Sequence, residues 1–190
     1  MKIYLLDKNS KMTKSWKFYF TGCNDVEVVN MYLHDFLSKY DVECIVSPAN
    51  SYGIMDGGYD YAISEYFGWE LSKKVQKKIL DECFGEQLVG TSIILDIDGT
   101  NKKLIHTPSM RTPSRIKDPM IVYYCTRATL ICAIKNNINS IVIPAFGGDC
   151  GGLDSYIIAL MMKEAYDQVM NPPKEINWKY AYRRRLEEIN

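Results

Sequence analysis

Twice along this chain a short apolar run ends in a glycine-dense loop that gives way at once to a helical pattern. The first loop reads Ser47-Pro48-Ala49-Asn50-Ser51-Tyr52-Gly53-Ile54-Met55-Asp56-Gly57-Gly58-Tyr59-Asp60 and follows the run Glu43 to Val46. The second, Pro144 to Asp154, holds Gly147, Gly148, Gly151 and Gly152 and follows Ser140 to Ile143. Repeated strand, loop and helix units build a largely parallel sheet, because crossover helices return the chain to the same sheet edge. Ligands of such sheets bind beyond the carboxyl ends of the strands. A third exit, Thr107 to Pro119, is rich in Pro and Ser and joins the other two on that edge.

The remaining pattern fits an α/β fold with a mixed, largely parallel central sheet between helices. Ile3 to Leu6, Lys17 to Phe20 and Val26 to Val29 read as short strands, and Met31 to Ser38 as a helix with Met31, Leu33, Phe36 and Leu37 at helical spacing. Asp60 to Phe67 continues the first loop as a helix. Leu71, Val75, Ile79 and Leu80 form an apolar stripe opposite Lys73, Lys74, Lys77 and Lys78, a solvated face. Thr91 to Leu95 and Lys103 to His106 flank Asp98-Gly99, a hairpin signal that makes them antiparallel. Pro119 to Lys135 is helical, with Ile121, Tyr124, Cys125, Ala128 and Cys132 expected on its inner side. Asp154 is placed to cap a helix from Ser155 to Met170 that Asn171-Pro172-Pro173 ends, and Glu175 to Glu188 adds another.

The 190 residues fit a single domain, with a core over about 26–170 and a helical extension over 174–190. No apolar run approaches the roughly 20 residues needed to span a bilayer, and the apolar start Met1 to Leu6 is too short for a secretory signal. A cytoplasmic protein is expected, without membrane partners. Cys23, Cys44, Cys83, Cys125, Cys132 and Cys150 are scattered without a CxxC pair, which favours buried free thiols. His34 and His106 are the only imidazoles and share no ligand spacing with them, so neither metal nor cofactor is expected. With 23 basic and 23 acidic residues the chain has no net charge to recruit nucleic acid. The run Arg183-Arg184-Arg185 reads as a solvated helix face.

Glycines let a backbone approach a ligand closely, and the helix after Gly57-Gly58 offers free N–H groups, a geometry suited to a diphosphate. One glycine pair on its own only makes a turn. Two such loops in one sheet fit an extended phosphate ester. Asp56, Asp60, Asp149 and Asp154 would repel a diphosphate at close range, so they point elsewhere, cap helices or bind sugar hydroxyls. Asp60 by itself reads as a helix N-cap, and Asn50 as a residue that ties its own turn. Phe146 is core or stacks on a sugar, His106 reads as structural, and Arg111 as a surface guanidinium that could reach phosphate.

Val42 to Ile63, with Ser-Pro-Ala-Asn followed by Gly-Gly-Tyr-Asp-Tyr-Ala-Ile, resembles the Asn-Ala-Ala-Asn and Gly-Gly-Val-Asp-Gly-Ala-Ile segment of macro domains. Asn50 and Asp60 keep the ten-residue separation found in members that hydrolyse ADP-ribosyl esters. Ile141 to Leu153 resembles the family's second phosphate loop, and Ile105 to Arg111 a His-x-Pro-x-Met-Arg stretch of one branch; the resemblance runs from about Val26 to Val169. It implies a three-layer α/β/α sandwich with a cleft for ADP-ribose, whether free or attached to a macromolecule. Asn50 and Asp60 would then be catalytic, orienting and activating a water. Leu33, Ser47, Ile54, Gly57, Gly58, Phe146, Gly147, Gly148, Asp149, Cys150 and Gly151 would line the ligand, without a metal. Nucleic acid enters only as a modified substrate.

Three positions depart from the family pattern. Ser47 replaces the first Asn of the pair, Asp149 stands where glycine is usual, and Met31-Tyr32-Leu33 aligns with Gly-Asp-Ile at the adenine end. Asp149 would meet a ribose hydroxyl or select against an extra phosphate; at the adenine end Tyr32 could stack, and Asp35 is nearby in sequence. The expectation is an ADP-ribosyl hydrolase. A non-catalytic ADP-ribose reader is the alternative, and an ADP-ribose 1''-phosphate phosphatase a third possibility.

Overall fold

The computed structural model describes residues 1–182. In chain order the elements are β1 (Lys2–Leu6), α1 (Ser10–Tyr19), β2 (Val26–Val29), α2 (Leu33–Lys39), β3 (Cys44–Ser47), α3 (Gly58–Phe67) and α4 (Glu70–Cys83). There follow β4 (Ile93–Asp96), β5 (Lys103–His106), α5 (Met120–Lys135), β6 (Ser140–Ile143), α6 (Ser155–Met170) and α7 (Trp178–Tyr182). The arginine run and the last part of the expected C-terminal helix lie outside the described residues.

The six strands form one sheet in the order β2-β1-β6-β3-β5-β4. Every pairing is parallel except β4 with β5, where Leu95 faces Leu104 across the expected antiparallel hairpin. Successive residues of the inner strands point to opposite faces, and both faces are dry. Cys44 and Val46 join Ile141 and Ile143 in one core with Trp16 of α1, Val122 of α5 and Ile158 of α6. Ile45 and Val142 join the other, with Phe36 of α2, Ile63 of α3 and Val75 of α4. Burial on both sides explains why these strands read as continuous apolar runs rather than alternating ones. The result is a three-layer α/β/α sandwich.

Two expectations are corrected. Lys17 to Phe20 is not a strand: Lys17, Phe18 and Tyr19 are the last turn of α1 and Phe20 is its C-cap. Asn9 caps that helix by accepting from the Lys11 amide, and Met12 and Trp16, one turn apart, are buried. The indole Nε1 of Trp16 donates to Sδ of Met162 at 3.3 Å. Packing at a spacing of four therefore overrode the local β preference of Phe-Tyr-Phe. In α5 the buried face is Met120, Val122, Cys125, Thr126, Thr129, Leu130 and Ala133, whereas Tyr124 is exposed. The helix is apolar on most sides, so periodicity did not single out the inward face.

Smaller differences follow from the same packing. Leu80 leaves the α4 stripe and is exposed, while Leu71, Val75 and Ile79 remain buried. The α4 lysines are a solvated face: Lys73 pairs with Glu70, Lys77 with Asp81 and Lys78 with Glu82. Of the six thiols, all free, only Cys44 and Cys125 are buried and Cys150 is exposed. Among the described residues, no helix is long and apolar enough to cross a membrane and no cluster of potential metal ligands occurs.

Candidate functional site

Five parallel strands release their chains on one sheet edge, and the two glycine loops leave adjacent strands, β3 and β6. The third exit binds them together. Ser109 donates its amide to the carbonyls of Pro48 (3.1 Å) and Ala49 (3.2 Å), and Ser51 donates to those of Met110 (3.1 Å) and Arg111 (3.2 Å). Further on, the Ile116 amide donates to the Gly151 carbonyl at 3.0 Å. A strap from residue 107 to 116 thus fixes the loops relative to each other, with the buried Ile116 side chain against Gly147 and Gly151.

Within the first loop Asn50 is committed to backbone. Its Oδ1 accepts from the amides of Tyr52 (3.1 Å) and Ile54 (3.3 Å), and its Nδ2 donates to the Ile54 carbonyl at 2.7 Å. Among the described residues one amide N–H of the side chain has no such partner. Gly57, not Asp60, occupies the N-cap of α3, and no side chain caps that helix. A Cβ on Gly57 would meet nothing within 4 Å, so the space beside the N-cap is open.

Asp60 lies three residues past that N-cap, which turns its side chain inward rather than toward the helix end. Ser47, the last residue of β3, donates its hydroxyl to Asp60 Oδ1 at 2.6 Å, and both residues are buried. Burial pushes the Asp60 carboxyl up to about 7, with the Ser47 bond acting in the opposite direction. Ser47, one of the three departures from the family pattern, is therefore the direct partner of the expected catalytic carboxylate.

The sequence reading missed two residues nearby, Tyr59 next to Asp60 in the chain and Asp7 within electrostatic reach of Tyr59 and Asp149. Tyr59 has a buried hydroxyl without a hydrogen-bond partner among the described residues. Its ionisation is opposed by burial and then by the charges of Asp60 and Asp7. Asp7 follows β1 directly, and its Oδ1 accepts from the Asn9 amide at 2.7 Å. Burial raises the Asp7 carboxyl, and the charge of Asp149 raises it further, against the lowering effects of the Asn9 amide and Lys8. An acid placed at a strand exit was the available signal for Asp7.

The second loop folds on its own glycines. Gly147 has φ +75°, and its carbonyl accepts from the Leu153 amide at 3.1 Å. A Cβ on Gly151 would lie 2.6 Å from that carbonyl. Gly148, Asp149 and Cys150 form the exposed tip. Phe146 is fully buried in the core with α6, which settles its two readings in favour of core. Leu33 likewise belongs to the opposite core, whereas Ile54 is exposed at the rim. Arg111 is held by Glu86 through two bonds of 2.7 and 3.0 Å, and His106 is buried against Gln87. The structure thus brings Ser47 and Asp60 together, and Gly58 and Asp149, and buries Phe146 and Leu33 in the two cores.

The fold is an α/β/α sandwich with two strapped glycine loops at the carboxyl edge of its parallel strands. Residues 46–162 match the macro domain family, and the chain belongs to it. An uncharacterized protein of Aquifex aeolicus is 30% identical over 128 residues, which cover 67% of this chain and 74% of that one. An uncharacterized protein of Aeropyrum pernix is 29% identical over 68% of this chain and 64% of its own length, so the chain spans just under two thirds of that relative. Among solved structures, a glycine-to-valine variant of the Oceanobacillus iheyensis macrodomain, solved with ADPR, has the same fold. It is 24% identical and matches with a TM-score of 0.61 over 70% of this chain and 73% of the other.

Proposed function

We propose that the cleft binds ADP-ribose or an ADP-ribosyl derivative and hydrolyses the bond from its distal ribose to a modified target. The observation that carries this reading is the buried Asp60 carboxyl, raised to about 7 and held at one oxygen by Ser47. A general base works best when its pKa lies near the working pH, and this value leaves a substantial ionised fraction at neutrality. Oδ2 takes the proton of a water as its oxygen bonds to the anomeric carbon. The bond from that carbon to the target oxygen breaks, and the target leaves as a carboxylate. The amides of Gly57 and Gly58 with those of the Gly148 to Gly151 turn wrap the diphosphate. The solved macrodomain that contains ADPR supports the ligand class.

A non-catalytic reader is favoured by one observation, the engagement of Asn50 in its own loop, which leaves it a single donor for a ribose hydroxyl. Release of ADP-ribose from a mono-ADP-ribosylated protein separates the two. Under the hydrolase reading, Asp60→Asn lowers release by about 100-fold or more while calorimetry shows ADP-ribose still bound. Equal release by the variant and the parent removes Asp60 from the chemistry; no release by the parent leaves the reader.

A further inference from the structure

The two glycine loops approach each other across the cleft at Asp149. Its Oδ2 sits so near Gly58 that a Cβ there would lie 2.9 Å from it. Gly58 is the first residue of the ten-residue helix α3 and has φ +56°. The carboxylate therefore rests against the positive end of that helix, in the gap where the ligand's phosphates are expected. Glycine at 58 is what allows the approach.

Among the described residues no cation pairs with this carboxylate, and the Asp149 side chain makes no hydrogen bond. Arg115 comes close to the same turn, which the Gly152 amide closes onto the Asp149 carbonyl at 2.9 Å, but its guanidinium lies over Gly152. Lys11 is taken by Asp154 at 2.6 Å, and Lys8 lies over the Tyr32 ring. The partly buried Asp7 adds a second carboxylate, close enough that the charge of Asp149 opposes its ionisation.

We propose that Asp149 is the charge-selecting residue of the cleft: it occupies the anion position at the α3 N-terminus, so the site takes ADP-ribose and turns away derivatives with a further phosphate monoester. The inference rests on the ADP-ribose reading above. A helix N-terminus and loop amides can hold one diphosphate, and the exposed Asp149 side chain is free to rotate away from it. A further phosphate brings up to two more charges into a space with two carboxylates, where the neighbouring cations Arg115 and Lys8 lie over Gly152 and the Tyr32 ring rather than on Asp149. Like charges at such range cost enough to decide selectivity.

Calorimetry of the parent, Asp149→Asn and Asp149→Ser with ADP-ribose and with ADP-ribose 1''-phosphate tests this at low salt. The parent is expected to prefer ADP-ribose by about tenfold or more, and both variants to narrow that preference to within about threefold. The variants also bind ADP-ribose several-fold tighter than the parent, by an amount that shrinks as salt is added. If parent and variants bind ADP-ribose with the same preference, Asp149 is not the selector and the ADP-ribose reading stands. If neither parent nor variants bind ADP-ribose at millimolar concentration, the reading itself falls. Tightening of the parent but not of Asp149→Asn by Mg2+ makes Asp149 a cation ligand and overturns the proposal.

Discussion

Ser47 shows how one residue can change meaning between sequence and structure. As a replacement for the family's asparagine it reads as a shorter polar group lining the ligand, yet it is the donor to the buried Asp60 at 2.6 Å. A hydrogen bond to an ionised carboxylate in a dry site is stronger than one between neutral groups, typically about 1.5–3 kcal/mol. Ser47→Ala removes the one hydrogen bond that lowers the Asp60 carboxyl, so its titration moves further up. The rising limb of the pH–rate profile for ADP-ribose release, expected near 7 in the parent, is predicted to move to higher pH in Ser47→Ala. Ser47→Thr restores it. An unmoved limb would show that the profile does not report Asp60. The sequence made Asn50 and Asp60 legible through their spacing, but not how each spends its hydrogen bonds. Asn50 shapes the loop because the amides of Tyr52 and Ile54 have no closer acceptor, which no spacing records.

At the scale of elements, the glycine loops owe their shape to close packing. Gly151 does not need a left-handed backbone; it needs the absence of a side chain, since its Cβ would lie 2.6 Å from the Gly147 carbonyl and 2.9 Å from Cδ1 of Ile116. Gly151→Ala is predicted to destabilise the chain by about 1–3 kcal/mol in denaturant titrations and to weaken ADP-ribose binding, because the strap must shift. Stability within about 0.5 kcal/mol of the parent would mean that the loop yields without strain. Elements with a clean period were legible: β3, β6, α4 and the Asp154-capped α6 lie where the pattern put them. The helix α1 was not, although Asn9 and the Met12–Trp16 spacing marked it, because Phe-Tyr-Phe has a strong local strand preference. The inner face of α5 was lost for a different reason: with apolar residues almost all round, only its neighbours decide which side is buried.

The whole molecule carries two buried titratable groups whose effects on folding run in opposite directions. Burial holds His106 at about 3, below its ordinary 6.5, and its Nδ1 lies 2.7 Å from Oε1 of Gln87, the geometry of a neutral ring donating to the amide. The unfolded chain protonates this ring first, so stability is present above 6.5 and is lost as pH falls toward 3. Asp60, raised from 3.8 to about 7, acts the other way: its contribution is present at low pH and is lost as pH rises through that window. Between about pH 4 and 6.5 the two slopes oppose each other. Thermal or denaturant midpoints of Asp60→Asn are therefore predicted to fall more steeply on acidification than those of the parent, and those of His106→Gln to rise on acidification relative to the parent. Parallel curves for all three would show that neither group titrates differently on folding. From the sequence alone came the alternation of strand and helix and the two glycine loops at the carboxyl ends of their strands, because these depend on local periodicity and on glycine and capping chemistry. Only the tertiary structure decided that a strap from the third exit fastens the two loops, that Arg111 is held by Glu86, and that Asp149 lies against Gly58. Those facts depend on contacts between residues far apart in the chain, and a linear pattern does not record where a side chain's charge or hydrogen bond is satisfied.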